Sequence, residues 1–167
     1  MAIGTLISVE EYLSTSYDPD VEYVDGVLVE RNVGDWLHSL VQRNVVVALS
    51  VKYPNIKAVP EFRERTAERR FRVPDVTVLL HAPVSTKALM EPPFIAIEIL
   101  SPDDTMTRVL EKLQEYAANQ TPHIWLFDPR LRQMFTFQAN ALQEIKADVI
   151  ATETPRLELT REEVFRD

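Results

Sequence analysis

The chain has 167 residues, of which 46% are hydrophobic and none is cysteine, and its formal net charge is −8 at pH 7. This length suits a single domain over residues 1–167, and the missing cysteines exclude disulfides and thiolate metal sites. Because neither a signal peptide nor a run of about 18 apolar residues occurs, we expect a cytoplasmic protein without a membrane partner, and the acidic balance argues against extensive contact with nucleic-acid phosphates.

The first third of the chain predicts a short helix, a hairpin and a long helix. Val9 to Ser14 is predicted to be helical, because Ser8 and Glu11 have the spacing of a capping box. An Asp-Gly pair within Glu22 to Glu30 is a strong hairpin signal, so two short strands are expected there. From Asp35 to Tyr53 apolar residues recur with the helical period and no Gly or Pro interrupts them, which predicts the first long helix.

Two hydrophobic segments in the middle of the chain each contain one acid. Ile56 to Arg65 is predicted to pair with Phe71 to Leu80 as a second hairpin, and the latter segment contains Asp75. The next predicted strand, Phe94 to Leu100, contains Glu98. A carboxylate among apolar neighbours is costly unless it is paired or coordinates a cation, and Mg²⁺ takes oxygen ligands. The pair therefore predicts a metal site in which at least one acid has a raised pKa.

The rest of the chain predicts a second long helix and further strands. Asp104 to Asn119 has an amphipathic helical stripe, and His123 to Pro129 is predicted to be a buried strand. Gln133 to Phe137 and Leu142 to Ile145 are expected to form a terminal hairpin, with Thr160 to Phe165 as a closing helical turn. This order predicts an α/β fold with one mixed central sheet between helices.

These elements and motifs resemble a known group of enzymes. Pro74-Asp75 followed by Glu98 on a hydrophobic strand, in an αβββαβ order, resembles the PD-(D/E)XK nuclease superfamily. More narrowly, the chain is similar from about Leu6 to Phe165 to the Uma-two family of restriction-type endonucleases. The motifs that carry the narrower resemblance are Glu22-Tyr23-Val24-Asp25-Gly26, the helical His38, Arg72-Val73-Pro74-Asp75-Val76, Ile97-Glu98-Ile99-Leu100-Ser101-Pro102-Asp103-Asp104, Glu111-Lys112 with Tyr116, and Trp125-Leu126-Phe127-Asp128-Pro129.

The resemblance implies a restriction-endonuclease-like core with additional N- and C-terminal hairpins, and an endonuclease that cleaves DNA with Mg²⁺. Asp75 and Glu98 would hold Mg²⁺, or Mn²⁺ as a substitute, and the Ile99 carbonyl would be a further ligand. Superfamily members usually carry a lysine two residues after the second acid, on the same strand, and this chain has Leu100 at that position. The resemblance suggests that Lys112 on the following helix replaces it. The accessory candidates are Glu22, His38, Arg108 and Tyr116.

Several of these assignments have an alternative. Arg108 falls where relatives often carry an acid, so either a metal ligand has been lost or a phosphate contact has been gained. His38 also suits a structural role, Glu22 an exposed edge, and Lys112 a solvated helix face. Tyr116 is equally typical of a core. The displaced lysine and the acidic balance favour a rival function, in which a catalytically degenerate nuclease fold serves as an interaction or assembly module.

One basic cluster leads into Pro74-Asp75, and a phosphate backbone could bind there. Alternation places Arg63 and Arg65 on one face of a strand. The proposed DNA-binding residues are Arg63, Arg65, Arg70 and Arg72. A solvated hairpin balanced by neighbouring acids would explain the cluster equally well. A homodimer is expected, because two cuts on a duplex need two sites and an edge such as Gln133 to Ile145 invites pairing.

Overall fold

The structure, a computed structural model, describes residues 6–167 and contains four helices in that range. They are α1 (Val9–Ser14), α2 (Trp36–Lys52), α3 (Met106–Ala118) and α4 (Arg161–Phe165). Each helix begins after a residue whose side chain accepts a hydrogen bond from the first turn, namely Ser8, Asp35, Thr105 and Thr160. Within residues 6–167, no helix has the length and hydrophobicity needed to cross a bilayer.

Six strands form a mixed central sheet, as the sequence predicts. In spatial order they are β10 (Ala141–Ile145), β9 (Gln133–Gln138), β8 (His123–Asp128), β7 (Ile95–Ile99), β6 (Val76–Leu79) and β3 (Lys57–Pro60). β7 and β8 are parallel, and the other neighbouring pairs are antiparallel. The helix α3 supplies the crossover that a parallel pair requires.

Helices cover both faces of the central sheet. Alternate residues of β7, from Ile95 to Ile99, pack with Val45 and Leu49 of α2. The residues between them point to the opposite face, where Ala96 packs in a second cluster with buried residues of α3. Glu98 shares this orientation with Ala96, so an acid on a fully buried strand is directed at a helix.

Two smaller sheets complete the fold. The first, called the smaller sheet below, has four strands in the order β2 (Val27–Val29), β1 (Glu22–Val24), β5 (Arg70–Arg72) and β4 (Glu64–Ala67). Asp25 and Gly26 both have positive φ in the β1–β2 turn, as expected for the predicted Asp-Gly hairpin. The second pairs β11 (Val149–Ala151) with β12 (Glu158–Thr160) and was not predicted, because strands of three residues show too little alternation.

The predicted second hairpin is confirmed as an antiparallel pairing of these two segments, but it is divided between two sheets. Each of its two strands splits where it reaches a proline, so β3 pairs with β6 in the central sheet while β4 pairs with β5 in the smaller one. Because proline lacks an N–H, Pro60 and Pro74 interrupt the ladder, and Glu61 adopts a left-handed φ of 51°. Asp75, which was expected inside a strand, therefore lies immediately before β6.

The other predicted elements are confirmed, with boundaries that differ by one or two residues. The second long helix begins at Met106 rather than Asp104, because Thr105 is its N-cap. Asp104 instead accepts a hydrogen bond from the Ser101 backbone N–H at 2.7 Å.

Arg63 fastens α1 to the smaller sheet. Its guanidinium donates to the carbonyls of Tyr12 and Thr15 at 3.0 and 3.1 Å, and to Asp20 Oδ2 at 2.8 Å. It also lies 4.3 Å from the Tyr12 ring centroid. One buried guanidinium thus holds together Tyr12, Thr15 and Asp20, which are separated along the chain.

Arg63→Ala should lower the free energy of unfolding by about 2–4 kcal/mol, because it leaves Asp20 and two carbonyls without their donor. Urea denaturation followed by circular dichroism measures this change. Arg65→Ala is the matched control: this neighbour is exposed, and the change should stay within about 0.5 kcal/mol of wild type. Equal losses in the two variants would contradict the structural role of Arg63.

Candidate active site

Glu98 is buried where β7 faces α3. Its carboxylate Oε1 accepts a hydrogen bond from the Tyr116 hydroxyl at 2.6 Å and lies 2.8 Å from Lys112 Nζ. Lys112 and Tyr116 are one helical turn apart, so they present side chains to the same point of the sheet. Both contacts fall on Oε1, which leaves Oε2 as the oxygen available to another ligand.

Asp75 reaches the same place from the turn before β6. Its Oδ2 accepts the Ile99 backbone N–H at 2.7 Å, next to Glu98 in β7. Its Oδ1 lies 3.2 Å from His38 Nε2 and 3.3 Å from Arg31 Nη2. Asp75, Glu98 and Ile99 line one cavity of about 50 Å³. The two acids identified from the sequence are therefore brought together.

Lys112 connects the central sheet to the smaller sheet. Its Nζ lies 2.8 Å from Glu98 and 3.0 Å from Glu22 Oε1, which belongs to β1 of the smaller sheet. Glu22 is buried and also accepts the Val73 backbone N–H at 3.1 Å and Arg72 Nη1 at 3.0 Å. Lys112 is therefore not a solvated helix residue, and Glu22 is not an exposed edge acid. These two alternatives from the sequence are wrong.

The donor set suits a hard divalent cation. Asp75 and Glu98 offer carboxylate oxygens and Ile99 lines the cavity beside them, and Mg²⁺ is held by one or two carboxylates with water and substrate oxygens completing its shell. Within residues 6–167, no group of three or more His, Cys, Asp or Glu side chains is arranged to hold a metal. Two carboxylates fall short of the three or four protein ligands that a zinc site uses.

Burial is the largest influence on the pKa values of both acids, and it acts to raise them. At Asp75 the hydrogen bond and charge of His38, with Lys112 and Arg31, outweigh burial, so the pKa lies below its ordinary value. At Glu98 burial outweighs Lys112, and repulsion from Asp75 and Glu22 adds to it, raising the pKa to about 7. The direction at Glu98 agrees with the expectation that at least one acid has a raised pKa.

The remaining accessory candidates surround this pair. His38 is buried against Asp75, whose charge raises the pKa of its imidazole in opposition to burial. Arg108 is exposed, lines the cavity and donates to the Glu30 carbonyl at 3.1 Å. Arg108 therefore places a positive charge at the cavity mouth. As the sequence indicates, this position does not supply an acid.

Sequence reasoning missed three residues of the segment between β2 and α2. Arg31 contacts Asp75, and the Asn32 amide donates to Asp104 Oδ1 at 2.6 Å. A Cβ on Gly34 would lie 2.4 Å from His38 Nδ1, so only glycine lets this backbone pack against the imidazole ring. None of these residues belongs to a regular element or periodic pattern, so no sequence signal marks them.

The predicted basic strip is largely engaged within the protein. Arg63 and Arg65 do not share a face, because the strand begins at Glu64, and Arg63 is buried while Arg65 is exposed. Arg72 is buried between Glu22 and Glu115, and Arg70 pairs with Asp25 and Glu115. Arg63 and Arg72 are thus structural cations, which corrects the prediction that they bind DNA.

Comparisons with known proteins identify the fold. The family model described as "Uma2: Putative restriction endonuclease" matches residues 9–164. A crystal structure of a "putative nuclease belonging to DUF820" from Anabaena variabilis is 23% identical, with 95% of this chain and 97% of that chain covered and a TM-score of 0.76. A cryo-EM structure of a DrdV–DNA complex is 13% identical over 65% of this chain and 12% of that chain, with a TM-score of 0.34. No curated protein matches. The restriction-endonuclease-like fold is confirmed.

The pKa of Glu98 should be near 7 in metal-free protein, and Asp75→Asn should lower it by removing a repulsive charge. Carboxyl ¹³C NMR titration of both proteins measures the shift. An unchanged Glu98 titration in Asp75→Asn would show that the two carboxylates are not electrostatically connected.

The raised pKa also fixes the sign of a stability change. The folded-state pKa exceeds the ordinary value of 4.5, so the favourable contribution of Glu98 is complete below about pH 4.5 and is lost as the pH rises through about 7. Glu98→Gln should therefore flatten the dependence of unfolding free energy on pH in this window. Urea midpoints across the window test this, and parallel curves for the two proteins would contradict it.

Proposed function

Because the chain belongs to the Uma2 family of putative restriction endonucleases, we propose that it is a Mg²⁺-dependent endonuclease that hydrolyses phosphodiester bonds of DNA. One observation carries the proposal: two buried carboxylates, Asp75 and Glu98, line a single cavity, with Lys112 against one of them. Paired acids of this kind, with a cation beside them, suit phosphoryl chemistry.

Asp75, Glu98 and the Ile99 carbonyl would hold the cation. Mg²⁺, or Mn²⁺ in its place, would supply a Lewis acid for the phosphoryl oxygen and a more acidic water as the nucleophile. Asp75 is suited to this task because its pKa is low and its charge is therefore present at neutral pH. The Ile99 N–H fixes the orientation of Asp75 through the 2.7 Å hydrogen bond to Oδ2.

Lys112 and Tyr116 would act from α3. The Lys112 ammonium, held by Glu22 and Glu98, places a fixed positive charge at the cavity wall, where it would stabilise the negative charge that develops on the phosphoryl group. Tyr116 is a positioning residue, because its hydroxyl donates to Glu98 and burial raises its pKa well above the ordinary value. It therefore remains a donor at any physiological pH.

The DNA backbone would meet few free cations. The exposed Arg65 remains from the predicted set, and Arg108 at the cavity mouth is a further candidate. All three guanidinium nitrogens of Arg70 donate to Asp25 or Glu115. A net charge of −8 makes binding weak outside this region and sensitive to salt. A homodimer, which would bring two sites to the two strands, remains a prediction.

A second function is favoured by one observation. Asp75 and Glu98 are already neutralised by the protein's own cations, and within residues 6–167 no third acid or His joins them in a group arranged to hold a metal. A nuclease fold that serves only as an interaction or assembly module would show the same features. Calorimetric titration with Mg²⁺ and Mn²⁺ separates the two functions, because the module should bind neither.

Wild-type protein should nick supercoiled plasmid only with Mg²⁺ or Mn²⁺, and Asp75→Asn should abolish nicking. Lys112→Met should reduce the rate by about 10²-fold, because a preorganised charge near the phosphoryl group is lost. Gel assays of single-turnover nicking measure both effects. Lys146→Ala is the control, since that side chain is 84% exposed, and its rate should equal that of wild type.

The stability of the Lys112→Met variant must be measured together with its nicking rate. Lys112 bridges two buried acids, so its loss leaves them unpaired and should also lower the melting temperature. Metal-dependent nicking by Asp75→Asn at the wild-type rate would refute the site. A folded Lys112→Met variant with undiminished nicking would refute the role of the lysine alone.

A further inference from the structure

Arg31 rests against the carboxylate proposed to hold the metal. Its Nη2 lies 3.3 Å from Asp75 Oδ1 and 3.6 Å from Glu61 Oε1. The side chain is only 14% exposed and lines the same cavity as Asp75 and Glu98. Arg31 thus places a positive charge beside Asp75, where a bound metal would also place one.

Arg31 is held less firmly than the structural arginines. Arg72 makes contacts of 2.6 and 2.8 Å with Glu115 and 3.0 Å with Glu22, and it is almost fully enclosed. Charge-assisted hydrogen bonds between guanidinium and carboxylate are usually about 2.7–2.9 Å long. Both contacts of Arg31 are longer, and the Glu61 side chain is half exposed. Arg31 is therefore the cavity-lining arginine whose pairing with protein acids can be exchanged at low cost.

The residues on either side of Arg31 are anchored to the cavity wall, Glu30 through its backbone carbonyl and Asn32 through its side-chain amide. Arg108 donates to the Glu30 carbonyl at 3.1 Å, and Asn32 donates to Asp104 at 2.6 Å. Arg108 and Asp104 both line the cavity. With its neighbours fixed, the Arg31 side chain can change partner by side-chain rotation alone, while its Cα stays beside the site.

We propose that Arg31 competes with the divalent cation for Asp75 and binds a phosphate of DNA when the cation takes its place. This inference rests on the proposed function. A guanidinium and a divalent cation on one carboxylate repel each other, whereas a phosphate oxygen at the cavity attracts both. Metal and DNA should therefore bind with positive coupling, each raising the affinity for the other.

Calorimetric titration of the full chain with Mn²⁺, without DNA, tests the competition. Arg31→Ala should bind Mn²⁺ about tenfold more tightly than wild type, because one repelling charge is removed from Asp75. Arg31→Lys keeps the charge and should stay near the wild-type affinity. Arg156→Ala is the matched control, because that arginine is exposed and pairs with Glu153 and Glu158; its affinity should be unchanged.

Fluorescence anisotropy with a labelled duplex tests the phosphate contact. With Ca²⁺ present, Arg31→Ala should bind DNA about tenfold more weakly than wild type, and the slope of log affinity against log salt should fall by about one. Arg31→Lys should lose part of this affinity, because it cannot contact phosphate with two parallel N–H groups. In Arg31→Ala the affinity for Mn²⁺ should therefore rise, whereas the affinity for DNA should fall.

A purely structural Arg31 makes a different forecast. Arg31→Ala would then bind Mn²⁺ no more tightly than wild type, and this result overturns the proposal while leaving the nuclease function intact. Absence of metal binding in wild type and all variants overturns both. Should Arg31→Ala melt below the assay temperature, Arg31→Gln supplies the neutral side chain with a remaining donor, and the same tighter Mn²⁺ binding is expected.

Discussion

The structure depends on balancing the charge of carboxylates that it buries together. Glu22, Asp75 and Glu98 are each less than 10% exposed, and ionised acids so close together would repel one another strongly. Lys112 joins two of them, and Arg31 neutralises the third. Such a network contributes little net stability, but removal of any member leaves an uncompensated charge. Such buried ion pairs are therefore weak evidence for stability, and their place at the cavity is consistent with the proposed function.

The meeting of these groups follows from the way the chain leaves one sheet for another. Pro74 ends the pairing that began at β5, and the chain enters the central sheet one residue after Asp75. Glu22 belongs to the smaller sheet and Glu98 to the central one, so the cavity lies where the two sheets are joined. A lysine from α3 reaches both acids, as the proposed replacement of the strand lysine requires.

The fold uses much of its positive charge internally. Arg63 holds the smaller sheet to α1 through hydrogen bonds to the Tyr12 and Thr15 carbonyls and also pairs with Asp20, and Arg72 holds this sheet to α3 through its ion pair with Glu115. Two of the four arginines in the predicted cluster are therefore buried and unavailable to a ligand. For a chain with a net charge of −8, affinity for DNA would depend on the few cations at the cavity mouth and on the bound metal.

Local patterns in the sequence determined the helices, most strands and the α/β arrangement, because periodicity and caps act over a few residues. The restriction-endonuclease-like fold and a shared site for Asp75 and Glu98 followed from the resemblance carried by the order and spacing of the motifs. Only the tertiary structure decided which arginines are buried, where the second hairpin divides, and that Arg31 approaches Asp75. Partners far apart in the chain create these contacts, and a guanidinium is equally compatible with solvent, phosphate or carboxylate until the fold supplies its neighbour.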